Sequence, residues 1–394
     1  MADPRPLRVL SVLHSLEPGG VERDVLRFTK AWRDKGLDAQ IALGRREGAL
    51  LAEAPDVPYI VPPPGRLARI ETESLWMILR LPAIIRGVRP DVLFLASNGL
   101  MAVAAAMKLK LGADCPPIVL RISNSLDRSD TSQVSRSLHR RLLRMHSHIY
   151  SAIVAMAPPL RDEIIREMGA SPERVVTIEN GALTAADAAE LAAARDAEPR
   201  HHAGRRFLAI GRLAPQKNFE LLLDAFSRIA RPEDRLTILG EGSHRKGLVE
   251  RAASLGIANQ LDLPGQVHPV TQWFAQADAF VLSSDFEGVP AVLVEALAAG
   301  LPIVATNCAV SISAMIEGAG RLVPVRNPDA LAQAMDEIVE DHPDVAAMRA
   351  RASQFTVEAS LDKWIQLFHR VGRNSALPDS PMLLSGATGC GHGR

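Results

Sequence analysis

The feature that most constrains the fold is an alternation of short apolar runs with amphipathic helical patterns along almost the whole chain. In the first half, the apolar runs are RVLSVL (8–13), DVLFLA (91–96), PIVLRI (117–122), AIVAM (152–156) and RVVTI (174–178). Short apolar strands that alternate with helices are typical of parallel sheets covered by helices. The sequence therefore predicts an α/β protein.

This alternation lapses once and then restarts. An alanine-rich, charged stretch without a strand pattern follows Gly181, and strand patterns resume with RFLAIG (206–211), RLTILG (235–240), AFVLSS (279–284) and PIVAT (302–306). Two similar halves joined by one linker predict two Rossmann-like domains that face a cleft. Ligands of such sheets bind beyond the carboxyl ends of the strands.

A length of 394 residues suits two domains better than one core. We predict an N-terminal domain over 1–181, a linker over 182–205, a second domain over 206–356, a helix over 357–373 and a disordered tail over 374–394.

Composition restricts the classes of protein to which the chain can belong. The three cysteines lie far apart, without metal-ligand spacing or a disulfide framework, which indicates a reducing compartment. The N-terminal apolar run is too short for a signal peptide, and no stretch is long enough to cross a bilayer. A net charge of zero, without aromatics interleaved among basic residues, argues against a nucleic-acid partner. We therefore expect a cytoplasmic protein.

The second domain contains a basic motif, GRLAPQKN (211–218), directly after a predicted strand. Gly211 permits a sharp turn, and Arg212 and Lys217 place two cations near a helix start. Cations together with free backbone amides can bind a diphosphate. Taken alone, the motif is more typical of basic loop residues in solvent. The same holds for GEGSHR (240–245), whose two glycines permit close approach to a ligand.

Two glutamates lie in the stretch SSDFEGVPAVLVEALAAGLPIVAT (283–306). Glu287 lies in the loop after a predicted strand, and Pro290 begins a helix that Gly300 ends. Glu295 lies within that helix among apolar residues, where a carboxylate needs a partner or a ligand. A ribose diol would supply two donors, although an ordinary structural role for the pair remains open.

Taken together, GRLxxxKN, GEG and EGVPAVLVEALAAGLPIV resemble the donor site of the family 4 glycosyltransferases. These are retaining enzymes of the GT-B fold that transfer sugar from a nucleotide diphosphate. The resemblance covers nearly the whole chain. PGGVE (18–22) is similar to the family's first-domain glycine loop, RVVTIENG (174–181) to its interdomain crossover, and 357–371 to the helix that returns to the first domain.

The resemblance implies roles for individual residues. Arg212 and Lys217 would hold the donor diphosphate, Glu295 the ribose and Glu287 the donor sugar. The implied catalytic residues are Glu287, Arg212, Lys217 and Asn124. The implied donor-binding residues are Gly19, Gly20, Gly211, Arg212, Lys217, Asn218, Gly240, Glu241, Gly242, Val267, Glu287, Gly288, Val289, Pro290 and Glu295, and the implied acceptor-binding residues are Gly20, Arg121 and Asn124. Because fixed cations stabilise the leaving group, we expect neither a metal nor a cofactor.

The sequence departs from the family at one position. Many members carry a histidine after the strand similar to PIVLRI, whereas this chain has RISNS, so that Asn124 or Arg121 occupies the region. We interpret His14 as a loop residue near the glycine turn and His268 as a residue that flanks the base pocket.

The predicted function is transfer of a sugar, with UDP favoured as the nucleotide, to a glycan or lipid-linked acceptor in polysaccharide or glycolipid biosynthesis. Two alternatives remain open. A nucleotide-sugar epimerase or hydrolase would turn over the donor without an acceptor. An inactive nucleotide-sugar-binding subunit would bind the donor and not turn it over.

A basic segment in the first domain, 121–148, contains six arginines and two aspartates. Arg136, Arg140, Arg141 and Arg144 are spaced so that most of them share one helix face. They form either a solvated surface or a dock for anionic lipid or a phosphate-bearing acceptor. The second interpretation predicts peripheral contact with the cytosolic face of an anionic membrane.

Overall fold

The computed structural model describes residues 5–17, 19–62, 73–126, 133–198 and 202–373. Two parallel sheets form the framework, one of seven strands and one of six, with helices packed on them. The predicted α/β class with two Rossmann-like domains is therefore confirmed.

The first domain is built on the seven-stranded sheet, whose spatial order is β3-β2-β1-β4-β5-β6-β7. Its strands are β1 (Arg8–Leu13), β2 (Asp38–Leu43), β3 (Tyr59–Ile60), β4 (Val92–Leu95), β5 (Ile118–Ile122), β6 (Ala152–Ala155) and β7 (Val175–Thr177). Its helices are α1 (Gly20–Asp34), α2 (Glu73–Val88), α3 (Met101–Leu111), α4 (Gln133–His146) and α5 (Pro158–Met168). The central strands β4, β5 and β6 are buried along their whole length, because helices cover both faces of a parallel sheet.

The second domain is built on the six-stranded sheet, in the order β10-β9-β8-β11-β12-β13. Its strands are β8 (Arg206–Ile210), β9 (Arg235–Leu239), β10 (Leu261–Gly265), β11 (Ala279–Leu282), β12 (Ile303–Thr306) and β13 (Gly320–Val323). The helices from the linker onwards are α6 (Ala185–Ala197), α7 (Phe219–Ile229), α8 (Arg245–Ser254), α9 (Thr271–Gln276), α10 (Ala291–Ala299), α11 (Val310–Ile316), α12 (Pro328–Ile338), α13 (Val345–Ala352) and α14 (Val357–Arg373).

Helix α6 occupies most of the segment that we predicted as a linker. Its N-terminus carries a reciprocal capping box, in which the side chains of Thr184 and Asp187 each bond the other residue's backbone amide. Arg195 is buried and donates to the Ala275 carbonyl at 2.9 Å. The linker is thus largely a helix that packs on the second domain.

Helix α14 returns to the first domain and packs on α1. Trp364 is 1 % exposed, and its ring lies 5.6 Å from Phe28, 5.7 Å from Trp32 and 5.2 Å from Phe94. This aromatic cluster attaches the end of the described chain to the first domain. The predicted tail, 374–394, lies outside the described residues.

The two domains meet at the carboxyl ends of their strands. The loop after β5 and the loop after β11 form an antiparallel backbone bridge between Asn124 and Gly288. A Cβ atom on Gly288 would lie 1.9 Å from the Ser123 carbonyl oxygen, so only glycine permits this approach. The bridge closes the cleft beside Glu287.

Candidate active site in the interdomain cleft

Two loops of the second domain bring a cation and a carboxylate together. Lys217 ends a short 3₁₀ turn after β8, and Glu287 lies in the loop after β11. Lys217 Nζ lies 2.5 Å from Glu287 Oε1, and the Ser284 hydroxyl donates to the same oxygen at 2.7 Å. Glu287 is only 6 % exposed. The two residues expected to contact diphosphate and sugar are therefore direct neighbours.

Further hydrogen bonds hold these two loops in register. The Asp285 amide donates to the Gln216 carbonyl at 2.9 Å, and the Gln216 side-chain amide donates to the Phe286 carbonyl at 2.8 Å. Asn218 donates to Asp285 Oδ1 at 2.9 Å, while its own side-chain oxygen accepts from the Leu221 amide and caps α7. These bonds fix the separation between Lys217 and Glu287.

Predicted donor-binding glycines allow the neighbouring loops to pack closely. Gly240 has φ +141°, and a Cβ atom there would lie 2.0 Å from the Gly211 carbonyl oxygen. A Cβ atom on Gly242 would lie 2.3 Å from the Leu213 carbonyl oxygen. The spacing of these glycines is thus explained by packing within the protein, in addition to any approach by a ligand.

Arg212 and Glu241, two other predicted donor-binding residues, are both exposed. The Arg212 carbonyl accepts from the Ala214 amide, whereas its side chain forms neither a hydrogen bond nor an ion pair with any residue that the structure describes. Glu241 is paired with Arg245 at 2.7 Å, on the first turn of α8. A diphosphate therefore finds Arg212 available, whereas a ligand that uses Glu241 competes with Arg245.

Helix α10 carries Glu295 on the side that faces the first domain. The helix begins after Pro290, one position later than predicted, and Gly300 ends it in the left-handed conformation. Glu295 is half-buried, and burial raises the pKa of its carboxyl although the positive charges of Arg27 and Arg23 on α1 oppose that shift. The carboxylate therefore lies in the cleft, close to the opposite domain.

Gly19 and Gly20 mark the N-terminus of α1 in the first domain. Gly19 is the N-cap and receives no side-chain hydrogen bond there, and Pro18 lies outside the described residues. A Cβ atom on Gly20 would meet nothing within 4 Å, whereas one on Gly19 would lie 2.0 Å from Glu22 Oε2. The amides of a helix N-terminus can bind an anion, and here the Glu22 carboxylate lies at the same end of the helix.

Arg121, predicted to contact the acceptor, has a different environment. It is 1 % exposed, its Nη1 lies 2.8 Å from Asp24 Oδ2, and its Nε donates to the Ala96 carbonyl at 3.1 Å. The same Nη1 donates to Asn180 at 3.3 Å. This is a correction: as a residue of the central strand β5, Arg121 projects into the covered interior of the first domain. Asn124, just beyond the strand, is the exposed residue of the pair.

The remaining predicted positions differ in burial and in the residues they contact. Val289 is 6 % exposed and Val267 is half-buried. His268 is exposed, with its Nε2 3.9 Å from Glu53 of the first domain. His14 packs edge-on against Trp76, and burial together with Arg45 lowers the pKa of its imidazole. A buried, neutral His14 fits the interpretation of a loop residue.

Sequence reasoning missed the residues that support Glu287. The Ser284 hydroxyl donates to its carboxylate, and burial together with the Glu287 charge raises the pKa of the nearby Cys308 thiol to about 12. Cys308 is therefore a neutral neighbour at physiological pH. The polar run SSD directly after a buried strand was the available signal, since functional groups gather at that edge of a parallel sheet.

Two family models match this chain. Residues 18–185 match the model described as Glycosyltransferase Family 4, and residues 204–341 match Glycosyl transferases group 1. The chain is also 31 % identical, over 356 residues, to a phosphatidyl-myo-inositol mannosyltransferase of Mycolicibacterium smegmatis, and that match covers 86 % of this chain and 85 % of the relative. The chain belongs to the family 4 glycosyltransferases. This glycosyltransferase is 30 % identical, over 41 % of its length, to the lipopolysaccharide core biosynthesis glycosyltransferase LpsE of Rhizobium meliloti, of which it spans about half (48 %).

Solved structures share the fold of this glycosyltransferase at low sequence identity. Anabaena HepE in complex with UDP-glucose superposes with a TM-score of 0.72 at 20 % identity, over 91 % of this chain and 98 % of HepE. TarM superposes with a TM-score of 0.73 at 12 % identity, over 93 % of this chain and 99 % of TarM. The predicted GT-B fold is confirmed.

Two structural features are absent from the described residues. No group of three or more His, Cys, Asp or Glu side chains in these ranges is arranged to hold a metal ion. None of the helices in the described part of the chain is both long enough and apolar enough to span a bilayer.

Proposed function

We propose that this glycosyltransferase moves a sugar from a nucleoside diphosphate sugar, with uridine as the nucleoside, to a glycan or lipid-linked acceptor. The reaction proceeds with retention and without a metal ion, in polysaccharide or glycolipid biosynthesis at the cytosolic face of a membrane. The observation that carries the proposal is the contact between Lys217 and Glu287, with Arg212 and Glu295 on the same cleft. Two similar proteins support the substrate class: HepE was crystallised with UDP-glucose, and LpsE is a glycosyltransferase of lipopolysaccharide core biosynthesis.

The charges of the cleft suit departure of a diphosphate. Negative charge develops on the leaving oxygen as the sugar departs, and Arg212 and Lys217 supply two positive charges to stabilise it. Lys217 is paired with Glu287 in the structure, which holds the ammonium group in place before the donor arrives. When the diphosphate takes over Lys217, the Glu287 carboxylate becomes available to the sugar hydroxyls. Ser284 keeps that carboxylate oriented throughout.

Glu295 suits recognition of the nucleoside. It lies on α10, the helix that directly follows the loop of Glu287, and its carboxylate can accept hydrogen bonds from the two ribose hydroxyls. Two such bonds would give this half-buried carboxylate hydrogen-bond donors in place of the water that burial removes. Asn124 lies at the opposite wall, against Gly288, where the transferred sugar and the acceptor would meet.

A two-stage experiment tests the proposal. Thermal unfolding is measured with UDP, GDP, UDP-glucose and other sugar nucleotides; a ligand present at 100 times its Kd stabilises the folded state by about 2.7 kcal/mol. Release of nucleotide is then measured with and without membrane-derived acceptors, and NMR of the product determines the anomer. Absence of stabilisation by every sugar nucleotide would contradict the proposal.

The same experiment separates the two alternatives. An epimerase or hydrolase consumes or converts the donor at the same rate without an acceptor. An inactive binding subunit is stabilised by the donor and releases no nucleotide with any acceptor. A glycosyltransferase releases nucleotide in proportion to the glycosylated acceptor.

A further inference from the structure

The outer face of α4 carries a stripe of three exposed apolar side chains, where a surface helix usually presents polar ones. Leu138, Leu142 and Met145 are 68 %, 52 % and 68 % exposed. Their spacing of i, i+4 and i+7 places them along one face of the helix. Leu143 lies on the opposite face and is 3 % exposed, within the core of the first domain. The helix therefore has one apolar face that packs on the protein and a second one that faces outward.

The charges around this outer stripe have a single sign. Helix α4 contains arginine and histidine but neither aspartate nor glutamate. Arg141 and Arg144 are exposed beside the stripe. Arg140 turns back towards the protein instead, where it donates to Glu167 at 2.7 Å. Of the arginines that the sequence placed on one face, Arg141 and Arg144 accompany the stripe and Arg140 supports the fold.

We propose that the outer face of α4 docks on an anionic lipid bilayer, with Leu138, Leu142 and Met145 inserted at the level of the first acyl carbons. Arg141 and Arg144 contact the phosphate groups above them. An interfacial helix with an apolar stripe and flanking basic residues binds through buried apolar area together with attraction to anionic headgroups. The inference deepens the proposed function, because it names the surface through which the enzyme would reach a membrane-side acceptor.

An anionic bilayer fits this surface better than a second copy of the chain. A two-fold symmetric dimer through the stripe pairs the same patch with itself. Such a dimer brings the Arg141 and Arg144 groups of the two copies together without any carboxylate on α4 to compensate them. A bilayer supplies both an apolar phase and negative charge.

The position of α4 agrees with this role. The helix begins at Gln133, nine residues after Asn124, which forms the bridge to Gly288 across the cleft. A chain segment of that length spans at most about 30 Å, so the start of the helix lies within that distance of Asn124. Docking through α4 would therefore bring that side close to the membrane surface, where a lipid-linked acceptor resides.

Co-sedimentation with vesicles tests the docking, without donor or acceptor present. Vesicles of phosphatidylglycerol and phosphatidylcholine are compared with vesicles of phosphatidylcholine alone. The full chain should bind the anionic vesicles, and the double variant Leu138→Ser/Met145→Ser should lower the partition coefficient by about tenfold or more, because each lost apolar side chain contributes on the order of a kcal/mol or more when buried. Val249→Ser is the matched control, since Val249 is 51 % exposed on α8 of the second domain. Unchanged binding by the double variant would overturn the proposal.

A second measurement distinguishes insertion from adsorption by charge alone. In Leu142→Trp, the new indole should be quenched by phosphatidylglycerol with brominated acyl chains, and the quenching should persist at salt concentrations that screen surface charges. An indole that is not quenched would refute docking through α4. Docking would also be refuted if the chain formed a dimer through the apolar stripe and bound no vesicles. Stabilisation of Leu138→Ser/Met145→Ser by UDP-sugars is measured in parallel. If the variant loses vesicle binding but is still stabilised by UDP-sugars, the proposed donor chemistry is unaffected. If the protein binds vesicles but no UDP-sugar stabilises it, the proposed donor chemistry is contradicted and the docking proposal is not.

Discussion

Lys217 and Glu287 lie 70 positions apart in the sequence, yet the ammonium nitrogen of one is 2.5 Å from a carboxylate oxygen of the other. Both are largely shielded from solvent, with side-chain exposures of 19 % and 8 %. Each follows a neighbouring strand of the same sheet, β8 and β11, so the contact is a consequence of parallel topology. In the proposed function, the ion pair would hold the cation ready for a diphosphate and keep the carboxylate beside it.

Removal of either partner should have a distinct kinetic effect. Lys217→Ala should lower kcat/KM for the donor by an amount equivalent to roughly 2–4 kcal/mol, as for loss of a preorganised charge. Glu287→Ala should mainly lower kcat, while the donor KM stays constant or falls because Lys217 no longer has a competing carboxylate. Steady-state kinetics of both variants and of the double variant give the coupling energy.

The control for that cycle is Lys246→Ala, which removes a lysine that is 88 % exposed on α8. Its kinetics should match those of the wild-type enzyme. A change only in KM for both active-site variants would contradict the division of roles between Lys217 and Glu287.

Glu295 should govern affinity for the donor. Glu295→Ala should raise the donor KM by roughly 10- to 150-fold with kcat little changed, because about 1.5–3 kcal/mol of charged hydrogen bonding to ribose is lost equally in ground and transition states. Burial raises the pKa of Glu295, so its carboxylate becomes protonated at a higher pH than an ordinary glutamate does. Donor affinity should therefore begin to weaken at that higher pH as the solution is acidified. Measurement of the donor Kd against pH, with Glu295→Gln as the pH-insensitive control, checks this.

The same pKa shift predicts an effect on stability. The folded state favours the protonated carboxyl, so its contribution to stability is present at low pH and is lost as the pH rises through the raised pKa. Glu295→Gln should therefore increase the free energy of unfolding at neutral pH, and the increase should shrink as the pH falls. A stability gain that is independent of pH would show that the effect comes from packing rather than ionisation.

Sequence alone could predict most of the strands and the loops that carry Lys217 and Glu287, because buried parallel strands are apolar runs and polar loops follow their carboxyl ends. It missed β2, which contains Asp38 and Gln40, and the exposed edge strand β13, because neither is a continuous apolar run. It also could not distinguish Arg121 from Asn124. Which of two nearby polar residues turns into the interior depends on a partner 97 positions away, Asp24, and no local pattern contains that information.

Two glycines of the cleft should respond differently to the same substitution. Gly288→Ala should abolish most activity, because the added Cβ atom would lie 1.9 Å from the Ser123 carbonyl oxygen and force the two domains apart at the Asn124 bridge. Gly20→Ala meets nothing within 4 Å, so its folding should be unaffected. Thermal unfolding and kcat/KM are measured for both variants. Any loss of activity in Gly20→Ala then reports a clash with the ligand, and full activity in Gly288→Ala would show that the bridge is dispensable.

Transfer should continue in the presence of a chelator. Arg212 and Lys217 supply positive charge where the diphosphate leaves, so the proposed reaction has no step that requires a divalent ion. Initial rates are compared in EDTA, in EDTA followed by excess Mg²⁺ and in EDTA followed by excess Mn²⁺. Loss of activity in EDTA that either ion restores would require a metal in the reaction and would contradict this expectation.

Arg121 should matter for stability and not for recognition of the donor. Arg121→Ala leaves Asp24 buried at 6 % exposure without its counter-ion, and removal of one partner of a buried pair costs about 3–5 kcal/mol. The double variant Asp24→Leu/Arg121→Met removes both charges and should recover much of that loss, because an apolar pair of similar volume avoids the uncompensated charge. Denaturant unfolding of both variants, and donor KM at a temperature where each remains folded, provide the measurements. A donor KM close to the wild-type value together with low stability is expected; a raised KM in the stable double variant would place Arg121 in the ligand site after all.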